Sequence, residues 1–247
     1  MTQDKLIVVA SHKDIGLKPL DYPYKEVYRI EENTEHNFQN IITSLEGIKN
    51  PTLTWSEYPA FYSVFPLPEN IKFFGLNHYR CTLDLTNNNY STFYYDKRYD
   101  FYMNQIKEFD NYLDKIVIPK TEYFDTSLWN QLIPWIQNSK DIDVLSAACS
   151  FFDQIIKDEF VVDSKDLLQN SREWHGRNLF MGEVDFANRW YTISYQLIKF
   201  LDQFDGKIFC DPRWGAYIVE RFFSLYVMLL KNKIPNKVIE QQIIWFH

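Results

Sequence analysis

Residues 72–80, KFFGLNHYR, decide the fold, because an apolar run ends there in a cluster of polar and aromatic side chains. The run at 72–76 is typical of a buried strand. Asn77, His78, Tyr79 and Arg80 would then follow its carboxyl end, the edge at which open α/β sheets bind ligands. Such side chains can donate to an anion, and arginine suits two-point phosphate contacts. A surface turn with ordinary hydrogen bonds is the alternative, and spacing alone favours neither.

A second strand with a similar end lies near the start of the chain. Residues 6–10 are a short β-branched run, and His12 and Lys13 follow it closely. Taken alone, a solvated loop explains these two residues better than a site does. Two such clusters at one edge of one sheet favour an anion-binding site.

Hydrophobic spacing predicts the remaining architecture. Further strands are expected at 26–30, 115–118 and 179–181, and helices over 99–113, 145–156, 187–201 and 216–230. Ser56 is expected to cap a helix that begins near Glu57, with Pro59 in its first turn. Strands that alternate with helices, followed by a helical second half, predict one α/β domain.

Composition narrows the function. Aromatic residues make up 18% of the chain, whereas glycine occurs only 7 times, and no glycine-rich phosphate loop is present. A net charge of −7 argues against a nucleic-acid partner. The three cysteines have no CxxC spacing, which indicates reduced thiols. Without a secretory leader pattern or a membrane-spanning stretch, the chain is expected to be cytoplasmic.

Three other groups have plain explanations. Asp141 and Asp143 form a DxD pattern, but they precede a helical stripe, where acidic residues favour the helix dipole, so no metal site is expected there. Glu220 and Arg221 are expected to pair with each other inside the protein. His175 could act as a ligand or an acid–base group, although a loop histidine is more often neither.

Several segments together resemble a bacterial glycosyltransferase-like family of capsular and exopolysaccharide gene clusters, which carries a His-Tyr-Arg motif. Residues 73–80 resemble its YIGLxHYRR hallmark, and residues 8–13 resemble its VACHK opening. Weaker matches follow in the expected order at 56–62, 116–120 and 178–181, and at Gly215 with Glu220 and Arg221. Cys81 departs from the pattern, because the family has a second arginine there.

The resemblance implies a GT-A-like fold, a Rossmann-related mixed sheet flanked by helices with a helix-rich C-terminal half. Residues 1–125 would bind a nucleotide-sugar donor, with a UDP-sugar favoured. Residues 126–247 would face a cell-surface polysaccharide or lipid-linked glycan acceptor, which also suggests peripheral association with the inner face of the membrane. The alternative is a non-catalytic module that binds a glycan or a protein partner on the same scaffold.

The resemblance also implies roles for individual residues. Arg80 and His78 are expected to neutralise part of the donor diphosphate, since no DxD follows the expected strand; Mn²⁺ or Mg²⁺ is not assigned. The expected donor-binding residues are Ala10, His12, Lys13, Glu57, Asn77, His78, Tyr79, Arg80 and Lys120. The expected acceptor-binding residues are Trp174 and Asn178. The candidates for the catalytic base are His175, Glu183 and Asp185.

Overall fold

The computed structural model describes residues 4–11, 19–28, 48, 55–87, 92–135, 139–204 and 213–247. The strands are β1 (Lys5–Ser11), β2 (Tyr24–Tyr28), β3 (Phe73–His78), β4 (Cys81–Leu83), β5 (Thr92–Phe93), β6 (Ile116–Pro119), β7 (Glu122–Tyr123), β8 (Glu173–Trp174), β9 (Phe180–Glu183), β10 (Val238–Gln241) and β11 (Ile243–Phe246). The α-helices are α1 (Tyr58–Tyr62), α2 (Arg98–Gln105), α3 (Leu128–Leu132), α4 (Ser139–Ile156), α5 (Ser164–Asn170), α6 (Val184–Leu201) and α7 (Trp214–Lys233). Short 3-10 helices lie at Tyr95–Lys97, Ile106–Tyr112 and Ile133–Trp135.

Nine of the described strands form one mixed sheet. Its main path is β10-β6-β9-β3-β4-β11-β5, with β1 beside β3 and β2 beside β1. Strand β9 is antiparallel to both β3 and β6, while β1 is parallel to β3 and β10 is parallel to β6. Strands β1, β3, β6 and β10 therefore run in the same direction, and their carboxyl ends share one edge. The predicted mixed α/β fold is confirmed.

The sheet is buried on both faces. Alternation along β3 sends Phe74 and Leu76 into a core under the long helices α4, α6 and α7, and sends Phe73 to the opposite core beside α2. Burial on both faces explains why β1 and β3 are nearly continuous apolar runs. Aromatic side chains fill much of both cores, including the fully buried Trp190 and Phe180.

A glycine allows close contact between β6 and β9. Gly182 has φ of 139°, a region that residues with a side chain rarely adopt. A Cβ at this position would overlap the backbone carbonyl oxygen of Lys115. Gly182 thus lets β9 lie against the start of β6.

Most predicted elements are confirmed, with shifted ends. The run at 72–76 belongs to β3, which continues through Asn77 and His78, so these two are strand residues and not loop residues. The predicted helix over 99–113 ends at Gln105 and continues as a 3-10 helix. Strands β10 and β11, which join the sheet from the C-terminal half, were not predicted from the sequence.

Two local predictions have different outcomes. Ser56 does not cap α1: its φ is 51°, and the cap position is Glu57, which makes no side-chain capping bond. Asp141 and Asp143 do lie in the first turns of α4, as predicted. In the described ranges, the model has no helix with the length and apolar character needed to cross a membrane.

Candidate functional site

Polar residues from several strands meet at the edge formed by the carboxyl ends of β1, β3, β6 and β10. His78 ends β3 beside Ala10 of β1 and pairs with Cys81 at the start of β4. Because β9 is antiparallel to β3, with Phe180 opposite Leu76, its approach segment with Asn178 reaches the same edge. This strand-end site brings together residues as far apart in the chain as Ala10 and Asn178.

Asn178 links the site to α1 through both atoms of its amide group. Its Nδ2 donates to Glu57 Oε1 at 2.6 Å, and its Oδ1 accepts from the Tyr58 hydroxyl at 2.7 Å. Asn178 is buried, and its φ of 51° is a conformation that asparagine tolerates better than most residues. Burial raises the pKa of Glu57; hydrogen bonds from Ser56 and Asn178 oppose that shift, and the charge of Glu220 adds to it.

Glu220 on α7 holds the turn that precedes β9. Its Oε1 accepts from the backbone N–H of Arg177, and its Oε2 lies 3.3 Å from Arg221 Nη1. The expected pairing of Glu220 with Arg221 is confirmed, but sequence reasoning missed the contact with Arg177. Arg177 and Asn178 both have positive φ, so this carboxylate stabilises a turn that would otherwise be costly.

Asn77 is the buried polar residue at this edge whose hydrogen-bonding capacity is unused. It is 1% exposed, and neither its Oδ1 nor its Nδ2 has a partner among the described residues. It pairs through the backbone with Val9 of β1, so it lies where two parallel strands end. Leaving such an amide unpaired costs roughly 1–3 kcal/mol per group, which a bound ligand with a donor and an acceptor could recover.

The turn after β3 presents the predicted cation to solvent. Arg80 is exposed, its backbone N–H donates to His78 Nδ1 at 3.3 Å, and its guanidinium lies 5.4 Å from the ring centre of Tyr79. Tyr79 itself is buried, and burial raises the pKa of its hydroxyl. Of the four residues singled out after β3, Arg80 is therefore the one most open to an incoming anion.

His175 is completely buried beside the carboxyl end of β6. Its Nδ1 lies 3.0 Å from the carbonyl oxygen of Pro119, and its Nε2 lies 3.5 Å from the Thr121 hydroxyl. Burial lowers the pKa of His175. The Thr121 hydroxyl donates to Glu240 and accepts from Lys231 Nζ at 3.2 Å. His175 therefore supports the residues that follow β6, with its ring enclosed.

The remaining predicted site residues divide between the two edges of the sheet. Lys120 is exposed just after β6, and Trp174 in β8 stacks under the Arg177 guanidinium. His12 and Lys13 lie outside the described residues. The structure does not bring Glu183 and Asp185 to this edge, because β9 carries them to the opposite one. There Glu183 accepts from Lys237 Nζ at 2.7 Å, and Asp185 is exposed.

An open cleft lies beside the strand-end site. It has a volume of about 370 Å³ and is lined by Lys120, Thr121, Glu122, Gln242, Ile243 and Trp245. Arg177 connects the two, since its guanidinium lies 4.3 Å from the ring centre of Trp245. Within the described parts of the chain, no three His, Cys, Asp or Glu side chains are grouped so that they could hold a metal ion.

Comparison with solved structures adds information on the fold. The chain is similar to the apo structure of WbbM, a bifunctional glycosyltransferase, with a TM-score of 0.68 and 13% sequence identity. The match covers 98% of this chain but 45% of WbbM, so the chain spans less than half of that protein's length. No family model and no curated protein matches the chain, so the His-Tyr-Arg family stays a prediction. The structural match shows that the chain has a glycosyltransferase-like fold.

Proposed function

We propose that the protein is a glycosyltransferase that moves a sugar from a nucleoside diphosphate to a glycan acceptor. The observation that carries the proposal is the strand-end site, on a fold shared with a known glycosyltransferase. UDP is the nucleotide to test first, and a cell-surface polysaccharide or lipid-linked glycan is the acceptor class. The sugar's C1–O bond to the diphosphate breaks, and an acceptor hydroxyl oxygen bonds to that carbon.

The β3 end supplies the donor side of the site. In this proposal the Arg80 guanidinium holds the diphosphate and stabilises the negative charge that grows as it leaves, and His78 donates a hydrogen bond to it through Nε2. The unpaired amide of Asn77 matches a ligand edge with one donor and one acceptor, such as the edge of a nucleobase. His12 and Lys13 follow β1 and belong to the same proposal, although they lie outside the described residues.

Glu57, which the resemblance assigns to donor binding, is the group that we assign instead to the acceptor proton. A general base works best when its pKa is near the working pH, and burial raises the pKa of Glu57 in that direction. Asn178 fixes the orientation of its carboxylate through the 2.6 Å hydrogen bond. His175 is enclosed, and Glu183 and Asp185 lie at the far edge, so all three stay predictions without an assigned role here.

A melting-temperature panel tests the proposal. UDP, GDP, CDP and dTDP and their sugars, with and without Mn²⁺, are added at about 100 times Kd. A ligand that binds only the folded state then adds about 2.7 kcal/mol, which raises Tm by roughly 5–10 °C for a chain of this size. If no nucleotide shifts Tm, the transferase proposal is wrong. Oligosaccharide binding without nucleotide binding would favour the non-catalytic module.

A matched pair of variants tests the donor side. Arg80→Ala should weaken UDP binding at least about tenfold, which corresponds to about 1.4 kcal/mol, and should abolish donor hydrolysis. Its affinity for uridine should change little, because uridine lacks the diphosphate. Arg172→Ala removes another exposed arginine and should leave both affinities unchanged. Equal UDP affinity in Arg80→Ala and the unmodified protein would remove Arg80 from the site.

A further inference from the structure

The open cleft beside the strand-end site has the features of a sugar subsite. We propose that it binds an acceptor sugar that carries a negative charge, either a carboxylate or a phosphate. The proposal rests on the proposed function and names the substrate class of the acceptor side. The cleft lies after β6 and β10, whereas His78 and Arg80 lie at the end of β3, so the two ligands would occupy neighbouring parts of one edge. Lys120, which the resemblance assigns to donor binding, lines the cleft and is assigned here to the acceptor side.

The size and lining of the cleft suit a sugar ring. Its volume of about 370 Å³ lies in the lower part of the range of small-molecule pockets. Trp245 offers an aromatic wall for the apolar face of a pyranose. Thr121, Glu122 and Gln242 line the cleft with groups that hydrogen-bond to hydroxyls. A mixed lining of one indole and several polar side chains matches a ligand with both kinds of surface.

Arg177 gives the cleft a positive charge that is not neutralised by a hydrogen-bonded carboxylate. Its guanidinium lies between the rings of Trp245, at 4.3 Å, and Trp174, at 5.3 Å. Among the described residues the nearest carboxylate oxygen, Glu122 Oε1, is 3.9 Å from Nη2, which is longer than a hydrogen bond. Its Nε is buried without an acceptor among the described residues. The guanidinium is therefore held in place with unused donors.

Lys120 is a second cation at the cleft, and Arg221 lies farther back, behind Trp174. Lys120 lines the cleft, is exposed, and its ammonium makes no ion pair with another described residue. Behind Trp174, the buried Arg221 lies 5.6 Å from the ring centre, and its Nε also lacks a described acceptor. Glu220 neutralises Arg221, so the charge that remains at the cleft is that of Arg177 and Lys120.

The nearby carboxylates are mostly occupied. Glu220 is paired with Arg221 at 3.3 Å and with the backbone of Arg177. Glu240 is engaged by Lys231 at 2.8 Å and by Thr121. Burial acts to raise the pKa of Glu240, but these hydrogen bonds hold it below the usual value. Glu122 alone faces two cations in the cleft, so the wall attracts anions.

Fluorine NMR on protein labelled with 5-fluorotryptophan tests the proposal directly, and Trp245→Phe assigns the resonance. The probes are methyl β-glucuronide, glucose 6-phosphate and the neutral methyl β-glucoside. At least one charged probe should shift the Trp245 resonance saturably and bind at least about tenfold tighter than the neutral one. The tighter of the two identifies the anionic group. Equal binding of charged and neutral probes, or no shift at Trp245, would overturn the proposal.

Variants identify the cation that gives the cleft its preference for a charged sugar. Arg177→Gln should remove the preference for the charged probe, while Arg172→Gln, an exposed arginine nearby in sequence, should retain it. Lys120→Gln lies on the surface, where loss of folding is not expected, and should lower the preference at least about threefold. If both Arg177→Gln and Lys120→Gln bind the charged probe as the unmodified protein does, the assignment is wrong.

Binding of the charged sugar at saturating UDP shows whether the cleft is an acceptor site or part of the donor site. The charged sugar should still bind, with an affinity within about threefold, because the two ligands occupy different strand ends. Competition between UDP and the charged sugar would show that the cleft holds the donor diphosphate, which overturns the acceptor assignment. Charged-sugar binding in a protein that binds no nucleotide would instead refute the transferase proposal and leave an anionic-sugar site.

Discussion

Replacing Asn178 with alanine should destabilise the protein severely, because one amide serves two buried partners. The variant loses the 2.6 Å hydrogen bond to the Glu57 carboxylate and leaves the Tyr58 hydroxyl unpaired. A hydrogen bond to a charged group contributes about 1.5–3 kcal/mol, and a stranded buried hydroxyl costs about 1–3 kcal/mol. Allowing for partial relaxation, we expect a loss of about 2–5 kcal/mol in the free energy of unfolding.

Urea unfolding at pH 7 measures this loss, with Tyr58→Phe as the matched variant. Tyr58→Phe keeps the hydrogen bond between Asn178 and Glu57 but leaves Asn178 Oδ1 without its donor, and should cost about 1–3 kcal/mol. In the Tyr58→Phe background, Asn178→Ala should cost less than it does alone, because no hydroxyl is stranded. Two results would refute the hydrogen-bond network of Glu57, Tyr58 and Asn178. One is a loss of less than about 1 kcal/mol in the free energy of unfolding for Asn178→Ala; the other is a loss in the double variant that equals the sum of the two single losses.

The same substitution should also change the chemistry of Glu57. The hydrogen bond from Asn178 favours the charged carboxylate and lowers its pKa, so Asn178→Ala should raise the pKa of Glu57 further. If Glu57 accepts the acceptor proton, the acidic limb of the pH–rate profile should move to higher pH. An unmoved limb, in a variant that still folds and turns over, would remove Glu57 from that role.

Three further predictions follow from packing and burial. Gly182→Ala should lower the free energy of unfolding in urea by more than about 3 kcal/mol, because the new Cβ would overlap backbone atoms. Gly75→Ala should cost less, because its Cβ would meet mainly side-chain atoms. The reverse order would contradict the β6–β9 contact. Burial raises the pKa of the Cys81 and Cys149 thiols to about 12, so iodoacetamide at pH 8 should label neither until urea is added; rapid native labelling would show that they are accessible. Burial also raises the pKa of Glu57 in the folded protein above its value in the unfolded chain. The protonated carboxyl therefore stabilises the fold fully at pH values below the ordinary glutamate pKa, and this stabilisation is lost as the pH rises through the pKa of the folded state. Between pH 4 and 8 the free energy of unfolding should therefore fall less in Glu57→Gln than in the unmodified protein. Identical pH profiles for the two proteins would contradict the burial of Glu57.

The main strands were predictable from sequence because their burial is local information. β1 and β3 are covered on both faces, so they appear as short apolar runs. β10 and β11 contain exposed and half-exposed positions, which weakens the apolar signal. Their place in the sheet depends on β6 and β4, more than 100 positions earlier in the chain.

Only the part of the candidate site that lies at the end of a single strand was predictable from the sequence. Residues 77–80 lie at and just after the end of a strand that is visible in the sequence, so their place at the edge follows from the pattern. The contact between Glu57 and Asn178 joins positions 121 apart, and no local pattern encodes it. Glu183 is close to Asn178 in sequence, but an extended strand rises about 3.3 Å per residue, which takes Glu183 to the other edge.

A crystal structure of the protein with bound UDP tests the central claim most directly. The diphosphate should lie within about 4 Å of the Arg80 guanidinium, at the carboxyl ends of β1 and β3, with the nucleobase within reach of the Asn77 amide. A nucleotide bound at the opposite edge, near Glu183, or one that makes no contact with Arg80 or His78, would contradict the account.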